Sequence, residues 1–154
     1  MVRYDHPDAV KLTELVQAEY VRRYASEVGD ASPLDPAEFD HPNGIFFLGY
    51  VDEIPVAMGG WRRGGPRGDT DGEIKRMFVL DSHRGQGLSR QVLEELERSA
   101  ARQGIERLVL ETGDEQPEAI SLYRSAGYVD IEPFGYYAGY DDAVHLGKVL
   151  EARA

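Results

Sequence analysis

The sequence predicts a three-layer α+β fold, a mixed and mostly antiparallel sheet with helices on both faces. Three observations lead there. An amphipathic helix pattern comes first, three β-rich runs follow one another between Ile45 and Leu80, and after Leu80 helix patterns alternate with strand patterns. The chain has 154 residues, 42% of them hydrophobic and 29% charged, which suits one domain over 1–154 with a substantial core.

From Asp8 to Val28, Leu12, Val16, Tyr20 and Tyr24 recur every fourth position with Leu15 alongside, the apolar stripe of a helix that stops at Gly29. Pro33, Pro36 and Pro42 restrict the stretch Asp30 to Asn43 to a surface connection with one short helical turn at Pro36 to Phe39. Ile45 to Val51 and Pro55 to Arg62 form a hairpin across Asp52-Glu53, and the Gly/Asp-rich loop Gly64 to Gly72 leads into a third strand, Glu73 to Leu80. Leu88, Val92, Leu96 and Ala100 mark a helix ending at Gly104, followed by a strand over Arg107 to Thr112. Pro117, a good first-turn residue, opens a helix closed by Gly127, and Tyr128 to Glu132 and Val144 to Leu150 read as final strands around the loop Pro133 to Asp142.

Composition narrows function. With no cysteine the chain has no disulfide, thiolate metal site or cysteine nucleophile, and cytoplasm is the expected location. Arg3, Asp5, Asp8, Lys11 and Glu14 interrupt any signal-peptide core, and no apolar run approaches the roughly 18 residues of a membrane span, so no membrane partner is expected. Asp+Glu 28 against Lys+Arg 17, a formal charge of −11, argues against nucleic acid and tilts the partner towards a cationic small molecule or peptide. His6, His41, His83 and His145 show no metal-ligand spacing, and no metal is expected.

The turn Arg84-Gly85-Gln86-Gly87-Leu88-Ser89 lies between a strand and a helix N-terminus, where free N–H groups can hold an anion. Gly85 and Gly87 permit positive φ and close approach of phosphate oxygens, and Arg84 adds a cation; alone, the glycine pair also suits a turn that holds nothing. A Walker A loop is excluded because no Gly-Lys-Ser/Thr follows, and the dinucleotide fingerprint fails because Arg90 stands where its third glycine belongs.

In context the turn resembles the coenzyme loop of the GNAT superfamily of acetyl-CoA dependent N-acetyltransferases, Gln/Arg-x-x-Gly-x-Gly/Ala, with Arg84, Gly87 and Ser89 in those places. Gln116-Pro-Glu-Ala119-Ile-Ser-Leu122-Tyr123-Arg-Ser-Ala-Gly127-Tyr128 is similar to a second motif of that family, Asn-x-x-Ala-x-x-Leu-Tyr-x-x-x-Gly-Phe. Ser89 for Gly/Ala and Gln116 for Asn are the departures. The resemblance implies that acetyl-CoA is the co-substrate, its pyrophosphate on the backbone of Arg84 to Ser89, its pantetheine arm along Met77, Phe78 and Val79, and Gln116 near it. It further implies Glu73 as the base, Tyr123 as the acid that protonates the departing thiolate, an amine acceptor and a possible homodimer.

Transfer to an amine needs both roles. An alkylammonium of pKa about 10.4 carries a deprotonation cost of roughly 4 to 5 kcal/mol at pH 7, and the thiolate must be protonated to prevent reversal. Glu53, Glu111 and Asp114 are alternative carboxylates for the same cleft. Phe134-Gly-Tyr-Tyr-Ala-Gly-Tyr140 with Asp141 and Asp142 suits an acceptor wall and equally a loop packed on the sheet edge. Two alternatives stand beside catalysis: a coenzyme A binding or sensing module of the same fold, and an interaction domain built on the tyrosine-rich loop.

Overall fold

Antiparallel pairing dominates the sheet because its first strands are joined by tight connections. A computed structural model describes residues 1–24 and 34–151. Strands β1 (Gly44–Val51), β2 (Ile54–Arg63), β3 (Asp71–Val79), β4 (Arg107–Gly113), β5 (Val129–Asp130) and β6 (Ala143–Val149) lie in the order β1-β2-β3-β4-β6-β5. At the β1–β2 turn Asp52 and Glu53 both adopt positive φ, 49° and 66°, a mirror-image turn whose twist matches the flanking strands. Among the described residues only the β3–β4 pair runs parallel, with α2 (Leu88–Arg102) as its crossover.

Alternation along the strands divides the core into two layers. Trp61, Ile74, Leu108, Leu110 and Leu146 face α2 and α3 (Pro117–Ser125), while Phe46 and Met58 face α1 (Pro7–Tyr24) through Ala9, Leu12 and Val16. The helix stripe of Val92, Leu93, Leu96 and Ala100 is buried, and Trp61 Nε1 donates to Ser99 Oγ at 2.9 Å, tying α2 to β2. Gly104 at φ 80° and Gly127 at φ 100° follow the ends of α2 and α3, the left-handed geometry for which glycine has no Cβ penalty.

Several boundaries differ from those the sequence predicts. The helix turn at Pro36–Phe39 forms as expected, but the predicted end of α1, up to Val28 and the stop at Gly29, lies outside the described residues. β3 begins at Asp71, so Glu73 sits inside the strand instead of opening it. The strand expected over Tyr128 to Glu132 is reduced to Val129–Asp130, with one further bond from Ile131 N–H to His145 O (3.0 Å) before Pro133 turns the chain away. The segment before α1 contributes no strand; Val2 N–H donates to Phe46 O (2.9 Å) and Tyr4 stacks on Phe39.

Candidate active site

The functional geometry begins where the sheet comes apart. β3 and β4 pair only at Asp71↔Arg107, Gly72↔Leu108 and Glu73↔Val109, and their ladder stops there. Immediately beyond, the β2–β3 register shifts between Met58 and Gly60, and Arg76 takes φ 60°, a bulge that bends β3 away from β4. A cavity of about 290 Å³ fills the wedge. Its walls are Ile74 to Met77 on β3, Leu110 to Gly113 on β4, Gln116, Ala119 and Tyr123 on the α3 side, and Tyr20, Tyr137, Tyr140 and Asp142 on the α1 side.

After Val79 the chain reaches the glycine turn. Gly85 and Gly87 have φ of 79° and 78°, and Gly87 is the N-cap of α2. A Cβ at either position would meet nothing within 4 Å, so the need for glycine is conformational and not steric. The backbone N–H groups of Gly85, Gln86, Gly87, Leu88, Ser89 and Arg90 find no acceptor among the described residues. Such a concave run of donors at a helix N-terminus is chemically matched to a pyrophosphate. The Arg84 side chain braces the turn against α1. Its guanidinium bonds Val79 O (3.1 Å), Asp81 (3.3 Å) and Glu19 of α1 (3.1 Å), and lies 5.7 Å from the Phe78 ring centre.

Across the wedge, Gln116 caps α3 and Pro117 occupies its first turn, which places Ala119 and Tyr123 on the cavity. Tyr123 is 6% exposed and meets Tyr128 edge-on at 5.6 Å. Burial, followed by the nearby Tyr20 hydroxyl, raises its phenol well above the ordinary value, so it stays protonated at any physiological pH. Its hydroxyl has no hydrogen-bond partner among the described residues, whereas the Tyr128 hydroxyl donates to Glu97 at 3.2 Å.

The carboxylates sort differently from expectation. Residues paired across a sheet share a face, so Arg62, Glu73, Val109, Glu111 and His145 all lie on the α1 side. Glu73 is held by Arg62, Nε to Oε1 at 2.9 Å, and Arg62 also reaches Glu38 at 3.2 Å; Glu73 does not line the cavity. Glu111 and Asp142 do line it. Glu53 sits at the exposed β1–β2 turn, and Asp114 is exposed beyond β4 with its N–H on Asp142 O (2.9 Å). Sequence reasoning missed Lys75, Arg76 and Tyr20 as wall residues, and it set His145 aside.

His145, opposite Glu111 on β6, is 6% exposed, packs on the Phe134 ring at 5.2 Å and leaves Nε2 buried without a partner among the described residues. Desolvation lowers its pKa, partly offset by a backbone hydrogen bond at Tyr137 and the charge of Glu73. Among the described residues no group of three or more His, Asp or Glu could hold a metal ion, and no helix is long and apolar enough to cross a membrane.

A split mixed sheet, a strand bulge beside the split and an open nest of N–H groups leading into the next helix define an acyl-transferase architecture. The sequence profile of the Acetyltransferase (GNAT) family matches residues 10–128, and the chain belongs to that family. Over 72 residues it is 47% identical to "IAA acetyltransferase" of Azospirillum brasilense, an alignment covering 45% of this chain and 47% of that protein. Over 81 residues it is 40% identical to the uncharacterized N-acetyltransferase YsnE of Bacillus subtilis (strain 168), covering 51% and 54%. The match thus spans about half the length of these curated relatives. Among solved structures, a putative acyl-CoA N-acyltransferase from Klebsiella pneumoniae superposes with a TM-score of 0.78 at 26% identity, covering 97% of this chain and 94% of the other. The PaiA N-acetyltransferase of Thermoplasma acidophilum, solved in complex with coenzyme A, shares the fold at a TM-score of 0.59 and 14% identity over 70% and 61% of the two chains.

Proposed function

We propose that the protein transfers an acetyl group from acetyl-CoA to the primary amine of a small molecule or peptide, by direct attack when both are bound. The observation that carries this reading is the continuity of one wedge with two chemically distinct ends. Its α3 side holds a protonated tyrosine, β3 runs on from it towards the open N–H donors of the glycine turn, and its α1 side is walled by carboxylates and aromatic rings. The nest at Gly85 to Ser89 would take the pyrophosphate, and Met77 to Val79 would pair with the pantetheine amides as a neighbouring strand does. Acetyl-CoA supplies the activated acyl group as a thioester.

The residues of the chain do the rest. A backbone N–H at the Arg76–Met77 bulge polarises the thioester carbonyl, and the walls hold the amine against it. The ammonium gives one proton to a carboxylate of the α1 side, directly or through water; the C–N bond forms as the C–S bond breaks, Tyr123 passes its phenolic proton to the sulfur, and the second proton of the attacking nitrogen, released as the amide forms, restores the phenol. Glu73 is the base implied by the family resemblance. Glu111, which lines the cavity as Glu73 does not, is the second candidate.

A coenzyme A sensor of the same fold would share the nest without turnover. Thiol release from acetyl-CoA, measured across amines with wild-type, Glu73→Gln and Glu111→Gln proteins, tests both points. Amine-dependent release supports the transferase, and the variant with the larger loss, of at least about tenfold, identifies the base. Coenzyme binding without release from any amine would leave the sensor as the function.

A further inference from the structure

At the bulge two residues of β3 stand opposite one residue of β2. Met58 pairs with Phe78 and Gly60 with Lys75, so Arg76 and Met77 together face Gly59. The extra residue resets the alternation of side chains. Arg76 Nε donates to the Tyr4 hydroxyl at 3.2 Å on the α1 side, whereas Met77 packs with Ile74 and Val79 against the core under α2.

Gly59 makes room for Met77 there. A Cβ at position 59 would lie 2.8 Å from the Met77 sulfur, 3.0 Å from Val92 and 3.4 Å from Leu96. The thioether thus occupies space that a side chain at position 59 would claim, between β2 and α2. Gly59 is not among the glycines of positive φ, so its backbone does not demand glycine and the neighbouring sulfur does.

Met77 also lines the cavity. With Ile74, Leu110, Ala119 and the Tyr123 ring it makes the α2–α3 side of the wedge apolar, apart from Thr112 and Gln116. Ile74, Leu110 and Tyr123 are buried in the core, and Met77 is the unbranched member of the set, whose three rotatable bonds let it change shape without moving a strand. An acetyl group offers one methyl to this wall. Further methylenes would find apolar neighbours.

We propose that Met77, seated over Gly59, is an adjustable end wall of the acyl chamber, and that the protein takes propionyl-CoA and butyryl-CoA as donors besides acetyl-CoA. The inference rests on the acyl-transfer reading above, in which the thioester carbonyl meets the Arg76–Met77 bulge, and it specifies the donor class. The chemistry is the same for each donor: the C–N bond forms, the C–S bond breaks, coenzyme A leaves as the thiol, and the added methylenes take no part.

Titration calorimetry with coenzyme A and its acetyl, propionyl and butyryl thioesters tests this without an acceptor. For the wild-type protein each methylene beyond acetyl should tighten binding roughly two- to fourfold, the gain expected for burying a CH2 group. Gly59→Ala puts a methyl where the sulfur sits, and because Val92 and Leu96 close the α2 side the thioether is driven towards the cavity. Butyryl-CoA should then lose at least about tenfold relative to acetyl-CoA, as overpacking predicts. Affinity for coenzyme A itself should be unchanged, since the substitution lies on β2 and not at the glycine turn, and this shows that the variant folds. Adding Met77→Ala to Gly59→Ala should bring the butyryl preference back, because no sulfur is left to displace.

Wild-type affinity that is flat or falling from acetyl to butyryl, a Gly59→Ala protein with the wild-type ratio, or a double variant no better than Gly59→Ala would overturn this inference and leave acetyl transfer standing. No binding of coenzyme A or of any thioester would overturn the transfer reading and this inference with it.

Discussion

Arg107 holds Asp71 with two hydrogen bonds of 2.9 Å at the closed end of the wedge, where β3 and β4 still pair. Asp71 is fully buried and also accepts from the Arg67 backbone N–H at 2.8 Å, and it anchors the loop before β3 as well as the strand itself. Burial pushes the Asp71 carboxyl up, but hydrogen bonds from Arg107 and Arg67 and the charge of Arg107 outweigh it, and the net shift is downward. Asp71→Ala leaves a buried guanidinium without its partner and should cost about 3 to 5 kcal/mol in chemical denaturation. The sign with pH follows from linkage. A carboxyl lowered on folding stabilises above its ordinary value near 3.8, and that contribution is lost as pH falls through the lowered value. Wild-type stability should therefore fall in acid more steeply than that of the variant; parallel curves would show that the pair is energetically silent.

Tyr123→Phe keeps the ring that meets Tyr128 edge-on and removes only the hydroxyl. Turnover should fall by roughly ten- to a thousandfold with acetyl-CoA affinity nearly intact. Wild-type turnover would remove this hydroxyl from the reaction.

Gly87→Val places a β-branched residue at φ 78°, where only glycine is at ease. Coenzyme affinity should drop at least about tenfold in calorimetry, and Gly87→Asn, which tolerates the left-handed region better, should fall between the two. Equal affinity in all three proteins would place the pyrophosphate away from this turn.

His145 is buried with its pKa lowered by desolvation, so the unfolded chain binds its proton more readily than the folded one. Folding stability should consequently decline as pH drops below about 6.5, the ordinary histidine value. His145→Gln should flatten that decline between pH 7 and 5 in thermal melts. An unchanged slope would show that the imidazole is solvated in both states.

The order of helices and strands is legible because each has a clean period and a glycine or proline at its end, as at Gly104, Pro117 and Gly127. The split between β3 and β4 is not, since Glu73 to Leu80 reads as a strand whether or not a neighbour pairs with it. The bulge at Arg76 carries no local signal either, with no glycine and no proline beside it. Tyr123 could be placed from its match to the second motif of the family the sequence resembles, with Gly127 four residues on. Arg62 on Glu73 and the place of Tyr20 in the cavity wall could not, because those positions depend on sheet register and on segments far apart in the chain. Composition tilts the expected partner towards a cation, but net charge averages over a surface and does not describe any one cavity wall.

The wedge between β3 and β4 is lined from both faces of the sheet, by Ala119 and Tyr123 of α3 on one and by Tyr20 of α1 on the other. Two molecules that meet inside such a passage need not share a doorway. If the protein transfers an acetyl group as proposed, donor and acceptor can reach such a wedge from opposite faces of the sheet, and neither has to wait for the other. Initial-rate patterns for such a protein should show random, not compulsory, order of addition.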